Sequence, residues 1–264
     1  MDKAAPHPLQ AVRRRIDAID EQIHRLLINR SGVVAELIRI KGASKPGGAF
    51  RPDREADMMR RLALRHEGAL PLVTVEHIWR EIITTFTAMQ APFGVLAGPA
   101  GDPLALRDAI RFYFGFSIGI TGCASAEAAV AGVAASARDI AVIPADAPGA
   151  WWSGLVGAAA PRIFAKLPFI EVPGRPAALP AYVVGPPLND ASAPDVRVLS
   201  VKAAEGLADS IRAAGGQIVG EADDDLLVEL PIAASLEDPG FSSANARELG
   251  GFAQPIRFLA DRTG

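Results

Sequence analysis

Residues 9–30 read LQAVRRRIDAIDEQIHRLLINR, and the stretch continues as SGVVAELIRIK to residue 41. Val12, Ile16, Ile19, Ile23, Leu26, Val33, Leu37 and Ile40 recur at steps of three or four, with one step of seven. That is the spacing of an apolar stripe along one α-helix. No proline interrupts it, and at its rise per residue such a helix is roughly 50 Å long. Gly42, Pro46, Gly47 and Gly48 are its expected end. A second helix is expected from Pro52, a residue suited to a first helical turn, through Met58, Met59 and Leu62 to about His66, with Gly68 and Pro71 breaking it. A third follows Thr74 as N-cap, presents Val75, Ile78, Trp79, Ile82, Ile83, Phe86 and Met89 as its apolar face, and stops before Pro92. One long helix beside two short ones leaves the ends of its stripe uncovered. Helix length alone therefore implies pairing with a second chain, as in a helical bundle.

The chain has 264 residues, 50% hydrophobic and 22% charged, a globular composition of about two domains. No apolar run approaches the ~20 residues of a membrane span. Met1–Pro8 has no apolar signal region, so a cytoplasmic location is expected. Cys123, the single cysteine, excludes an internal disulfide and a multi-cysteine metal site, and neither metal nor cofactor is expected. Residues 1–90 hold 15 Lys and Arg against 11 Asp and Glu, whereas the remainder hold 12 against 19. A positive first segment suits a small anionic ligand. Nucleic acid is a poor alternative, because aromatics are only 6% and no nucleic-acid motif is present.

After Ala91 the texture changes to short apolar runs, Phe93–Leu96, Ile140–Ile143, Tyr182–Val184, Val196–Val201 and Leu226–Leu230. Between them lie helical patterns, Pro103–Phe114, Ala126–Ala135 and Ala203–Ala214. Alternating strands and helices imply an α/β region, and 196–230 reads as a small α+β unit. With Gly185–Pro194 as linker, the expected domains are 1–91, 92–185 and 195–264.

The informative residues in 9–90 are polar groups on apolar seams. Arg30 lies seven residues after Ile23 and seven before Leu37, and Lys41 lies seven after Val34. Gln90 extends the Ile83–Phe86 seam, and Glu55 stands four before Met59. An unpaired buried cation costs several kcal/mol. A lone arginine at a seam edge is ordinarily a snorkelling surface residue. Several inward polar groups on three helices point instead to a polar pocket.

These stretches resemble the all-helical class of chorismate mutases: LQAVRRRIDAIDEQIHRLLINR, then VVAELIRIK, then FRPDREADMM opening helix two, then IWREIITTFTAMQ closing helix three. The resemblance implies an intertwined dimer. Arg13 from the partner chain and Arg30 would hold the two carboxylates of chorismate, a task to which the planar guanidinium fork is suited. Lys41 and Gln90 would bond the ether oxygen, Glu55 would accept from the ring hydroxyl, and Arg54 would order the second carboxylate's surroundings. Phe86 stands where the family has a serine near a carboxylate, with Thr84, Thr85 and Thr87 close by. Arg51 stands where some members carry an acid.

Residues 93–264 resemble, more faintly, a prephenate dehydratase with its regulatory domain, in VLAGPAGDPLALRDAIRFYFG, ARDIAVIPADAPGAW, LPAYVVG and VRVLSVKAAEGLADSIRAAGGQIVG. The implied architecture is multi-domain α plus α/β: a helical mutase, an α/β dehydratase-like domain and a ferredoxin-like βαβ unit. The catalytic positions differ from the family's. Asp146, Ala147 and Pro148 stand for Glu-Asn-Ser, Pro180, Ala181 and Tyr182 for Thr-Arg-Phe, and Asp102 for a threonine. Glu205–Ala208 lacks the family's phenylalanine-recognition residues. The expectation is a chorismate mutase acting on chorismate and yielding prephenate, with a catalytically inactive C-terminal region. The alternatives are a bifunctional mutase and dehydratase, a lyase of isochorismate on the same scaffold, and a non-catalytic regulatory binding protein.

Overall fold

The computed structural model describes residues 8–41, 50–136, 138–188, 193–236, 241 and 245–258, with Lys41 described by its backbone alone. The glycines and proline expected to end helix one, and residues 189–192 of the expected linker, lie outside the described residues. The chain forms two compact units, Met1–Ser44 and Lys45–Gly264.

The first unit carries α1 (Pro8–Lys41), the long helix that the three- and four-residue spacing predicts. Of its described residues only Val34 is buried. Leu9, Val12, Ile16, Ile19, Ile23, Leu26, Val33 and Ile40 each keep half or more of their surface exposed.

The second unit begins with α2 (Pro52–Arg65) and α3 (Leu72–Gln90). It continues through β1 (Val95–Ala97), α4 (Pro103–Phe114), β2 (Ile120–Gly122), α5 (Ala126–Ser136), β3 (Ile140–Pro144) and a 3₁₀ turn at Trp151–Leu155. Then come β4 (Arg162–Leu167), β5 (Ile170–Glu171), β6 (Ala181–Gly185), β7 (Val196–Lys202), α6 (Leu207–Ala213), β8 (Gln217–Ala222), β9 (Asp225–Pro231), β10 (Arg247–Phe252) and β11 (Ile256–Arg257). Among the described residues nine strands form one sheet in the order β2-β1-β3-β6-β4-β10-β7-β9-β8. The chain is thus an N-terminal helical region followed by a mixed α/β sheet.

Strand alternation sorts the core. On β3 and β6, Ile140, Val142, Ala181 and Val183 face one cluster, which also receives Met59 and Leu62 of α2, Ile83 of α3 and Ile110 of α4. Ala141, Ile143, Tyr182 and Val184 face the other, with α5, Trp151 and Trp152. A third cluster lies beneath α6, where Leu199 and Val201 of β7 meet Val228 and Leu230 of β9. Strands β7, β8 and β9 with α6 make a split βαβ unit, and β10 completes it beside β7, as expected of a ferredoxin-like arrangement.

Helices α2 and α3 bury their apolar faces against the sheet, and β10 sits between β4 and β7, so that one sheet runs through strands from Val95 to Phe252. Some helix bounds need correction. Helix α3 starts at Leu72 rather than after Thr74, because the Pro71 carbonyl already accepts the N–H groups of Thr74 and Val75. Its buried face is Leu72, Glu76, Arg80, Ile83, Thr84, Phe86 and Thr87, whereas Ile78 and Met89 are exposed. Helix α6 starts at Leu207, after Gly206 in the left-handed region, and not at Ala203.

The seam between β4 and β10 rests on one parallel pairing, Gly250 with Ile163. Gly250 has φ of +130°, and a Cβ there would lie 2.2 Å from the Ile163 carbonyl oxygen. A backbone clash has no rotamer to relax into. Gly250→Ala is therefore expected to lower unfolding free energy by at least ~1–3 kcal/mol. Gly119→Ala, with nothing within 4 Å of its added carbon, is expected to stay within about 0.5 kcal/mol. Urea unfolding of both variants checks this, and equal effects contradict it.

Candidate functional site

Helix α3 places Glu76, Arg80, Thr84 and Thr87 on one stripe, because residues three and four apart share a helix face. Glu76 is fully buried. Its carboxylate faces Arg175 Nη1 at 3.3 Å and Arg80 Nε at 3.9 Å, and it accepts from the Tyr113 hydroxyl at 3.2 Å. That hydroxyl in turn accepts the Phe169 N–H at 2.8 Å. Arg175 also donates to the carbonyls of Ile170 and Pro176. Burial pushes the Glu76 carboxyl above its ordinary value, against the pull of Arg80 and Arg175, and burial likewise raises the Tyr113 hydroxyl.

Beside this network lies a cavity lined by Glu55, Arg80, Thr87, Tyr113, Phe169 and other aromatic residues. Arg80 Nη1 stands 3.6 Å from a Glu55 carboxylate oxygen. Burial raises the Glu55 carboxyl, and Arg80 opposes that rise. On another side of α2 an open groove of about 820 Å³ is lined by Arg54, Arg60, Arg162, Asp195, Glu248 and the Gly250–Gly251 backbone among others. Arg60 holds Asp195 at 2.5 Å. The burial that would raise Asp195 is outweighed by the Gln254 N–H and by Arg60, so its carboxyl lies below the ordinary value.

The seven residues singled out from sequence divide between the two units. Arg13 is exposed on α1, Arg30 is half-buried there, and Lys41 is the last residue of that helix, its side chain outside the described residues. Arg54, Glu55, Phe86 and Gln90 belong to the second unit and do not share one pocket. Arg54 lines the groove, Glu55 lines the cavity, and Gln90 lines neither. Gln90 donates its amide to the Phe86 carbonyl at 3.0 Å, and Phe86 is buried. Of the threonines near it, Thr84 spends its hydroxyl on the Tyr113 carbonyl, Thr85 is exposed, and Thr87 faces the cavity. The sequence reading missed Glu76, Arg80, Tyr113 and Arg175. The signal was the Glu76–Arg80 pair one turn apart, leading into Thr84 and Thr87 on the same stripe.

In the C-terminal region Asp102 is the N-cap of α4, accepting from Leu104 and Ala105 at 2.9 and 3.0 Å. Asp146 is an exposed turn residue, in a turn closed by Ala147 N–H on the Pro144 carbonyl. Tyr182 is buried and donates to Glu229 at 2.5 Å. Glu229 also accepts from Lys166 at 2.7 and 2.9 Å and from Gln217 at 2.7 Å. Burial and the Glu229 charge push the Tyr182 hydroxyl far above its ordinary value. Among the described residues no group of three or more His, Cys, Asp or Glu side chains is placed to hold a metal ion. No described helix is long and apolar enough to cross a membrane.

Comparison with known proteins gives the N-terminal class: residues 12–91 match the family model "Chorismate mutase type II", and the chain carries a domain of that family there. Among curated relatives, the bifunctional chorismate mutase/prephenate dehydratase of Stutzerimonas stutzeri is 30% identical over 143 residues, covering 52% of this chain and 39% of the relative. The protein of the same name from Pseudomonas aeruginosa is 29% identical over 143 residues, with the same coverage. The chain thus spans well under half the length of these relatives. Among solved structures, the prephenate dehydratase of Streptococcus mutans aligns with a TM-score of 0.36 and 10% identity, over 62% of this chain and 98% of that one.

The raised Glu55 carboxyl makes stability depend on pH in a defined direction. The fold favours its neutral form, so this contribution is complete below the ordinary glutamate range and is lost as pH rises through the folded value. The stability advantage of Glu55→Gln over the unaltered chain is therefore expected to grow between about pH 4 and about pH 8. Urea unfolding across that range measures it, and an advantage that shrinks with pH contradicts the assignment.

Proposed function

We propose that the chain is an isomerase, a chorismate mutase that rearranges chorismate to prephenate. The observation that carries this reading is the family match over residues 12–91. Arg13, Arg30, Lys41, Glu55 and Gln90 all stand at positions where the family carries its site residues. Phe86 in place of a serine is the one substitution beside a substrate carboxylate.

The reaction is a concerted pericyclic shift that needs neither cofactor nor covalent intermediate. Two arginines fix the folded conformer of the dicarboxylate by planar, bidentate contacts, which is an orientation effect. As the C–O bond breaks, negative charge grows on the ether oxygen. The Lys41 ammonium and the Gln90 amide N–H stabilise that charge more than they stabilise the ground state. For this, Gln90 exchanges its bond to the Phe86 carbonyl for one to substrate. Glu55 accepts from the ring hydroxyl, and Arg54 orders the surroundings of the second carboxylate.

The active assembly is a homodimer. The stripe on α1 leaves eight large apolar side chains half or more exposed, and a second copy of that helix is the partner that covers them. Arg13 then serves the site of the other chain. The region after residue 91 is without dehydratase activity, because the side chains of Ala147, Pro148, Pro180 and Ala181 cannot donate protons or hydrogen bonds to a leaving hydroxyl. Tyr182 is occupied by Glu229, the Asp102 carboxylate is spent capping α4, and Asp146 lies on an exposed turn.

Lys41→Ala is expected to lower kcat for chorismate by roughly 10²–10³-fold, followed as loss of chorismate absorbance. Turnover near that of the unaltered chain at saturation removes Lys41 from the mechanism. Mixing Arg13→Ala and Lys41→Ala chains after exchange of subunits is expected to restore activity to about a quarter of sites, since only the mixed dimer builds one intact site. No recovery argues against an arginine shared in trans. With prephenate as substrate, phenylpyruvate formation is expected to remain at the acid-catalysed background, and a rate proportional to enzyme overturns the claim of inactivity.

A further inference from the structure

Arg80 stands between two carboxylates. Its Nη1 lies 3.6 Å from a Glu55 oxygen, and its Nε lies 3.9 Å from a Glu76 oxygen. Arg175 Nη1 lies 3.3 Å from the other Glu76 oxygen. The four charges alternate in sign along the row Glu55, Arg80, Glu76, Arg175, and they balance. Side-chain exposure falls from 26% at Glu55 to 10% at Arg80 and 0% at Glu76, with 3% at Arg175. The row therefore leads from a partly open end at Glu55 into the interior.

Glu76 shares α3 with Arg80, but the groups that secure this pair come from beyond residue 91. Tyr113 on α4 donates its hydroxyl to Glu76 at 3.2 Å, and its ring centre lies 4.9 Å from the Arg80 guanidinium. The Phe169 ring centre lies 5.8 Å from the same guanidinium. Such rings attract a guanidinium and limit its freedom to turn away. Arg175 is itself anchored, donating to the carbonyls of Ile170 and Pro176.

The row ends at the carboxylate to which the mutase reading gives the ring hydroxyl of chorismate. An ionised carboxylate is the stronger acceptor for such a bond. Burial favours the neutral form of Glu55, and Arg80 opposes it. On α2 itself the Arg51 backbone N–H also favours the charged form, whereas Asp53 disfavours it. Lys166 of β4 lines the same cavity but gives its ammonium to Glu229, and Tyr113 gives its hydroxyl to Glu76. Among these groups Arg80 is the cation that acts on Glu55.

We propose that Arg80 is a positioning residue for the Glu55 carboxylate, held to that task by Glu76, Tyr113 and Arg175, so that the region after residue 91 is a working part of the mutase site. The proposal rests on the mutase reading for the task of Glu55, but the row of charges does not. Without Arg175 two carboxylates share one guanidinium, and the more deeply buried Glu76 claims it. A region without dehydratase activity thus retains a task in the mutase reaction.

The full chain, carrying carbon-13 at its glutamate carboxyls, is titrated by NMR, with Glu55 assigned from Glu55→Gln. Chorismate turnover is followed over the same pH range. Arg80→Met is expected to raise the Glu55 midpoint by about one pH unit or more, and Arg80→Lys to reverse most of that rise. Arg175→Gln is expected to raise it by less. The acid limb of kcat is expected to move up with the midpoint in each variant. In a Glu55→Gln background, Arg80→Met is expected to cost less than about twofold in kcat. A merely structural Arg80 would instead lower turnover at every pH and in both backgrounds, and that result overturns the proposal. So does an unmoved Glu55 midpoint in a folded Arg80→Met or Arg175→Gln chain. If Arg80→Met fails to fold, the side-chain nitrogen resonances of Arg80 in the unaltered chain decide. They are expected to titrate with the Glu55 midpoint, and indifference to it overturns the proposal. An unaltered chain that leaves chorismate unchanged sinks the mutase reading, whereas turnover with unmoved midpoints sinks this proposal alone.

Discussion

A carboxylate removed wholly from water must be given cations and donors, and Glu76 draws its partners from three separate segments. Arg80 comes from the next turn of α3, Tyr113 from α4, and Arg175 from the loop after β5. Taking such a charge out of water costs several kcal/mol, so only an arrangement that keeps all of these partners close is tolerable. That requirement fixes the rotation of α3. With Glu76 inward, Thr84 and Thr87 follow it and Ile78 and Met89 are turned to solvent. The cavity and the groove then arise on different sides of α2, and Glu55 and Arg54, neighbours in sequence, enter different spaces.

A second polar cluster does comparable work on the other face of the sheet. Lys166 on β4, Tyr182 on β6 and Glu229 on β9 meet although β10 and β7 lie between β4 and β9. Gly250 stands between Ile163 and Val198 in the intervening row, so no side chain occupies that position. The position that resembles a catalytic strand in dehydratases thus holds a phenol engaged by a carboxylate, a structural bond rather than a free acid.

Much of the fold was legible in the sequence because its signals are local. The stripe on α1, Pro52 opening α2, and the apolar runs at β3, β6, β7 and β9 are each readable from periodicity within one element. The boundaries of α4 agree because Asp102 and Pro103 cap and open it within two residues. What was not legible depends on distant pairing. The strands β2, β4 and β10 are short or carry charged and glycine residues, and only their neighbours in the sheet define them. The rotation of α3 was misread for the same reason. Hydrophobicity favoured Ile78 and Met89 as core, whereas a carboxylate with Arg175, nearly a hundred positions away, decided otherwise. Sequence singled out Arg30, Lys41, Glu55 and Gln90 by their places on apolar seams, but not Arg80, because its burial comes from α4 and the strands.

The position of β10 bears on how the molecule is made. The chain leaves the ribosome in order, yet the strand that bridges β4 and β7 is the last of the nine to be synthesised. Until residues 247–252 emerge, one edge of β4 and one edge of β7 lack their partner, and exposed edges of that kind invite pairing with other nascent chains. Closure of the sheet thus waits on its last-made strand, a segment containing two consecutive glycines.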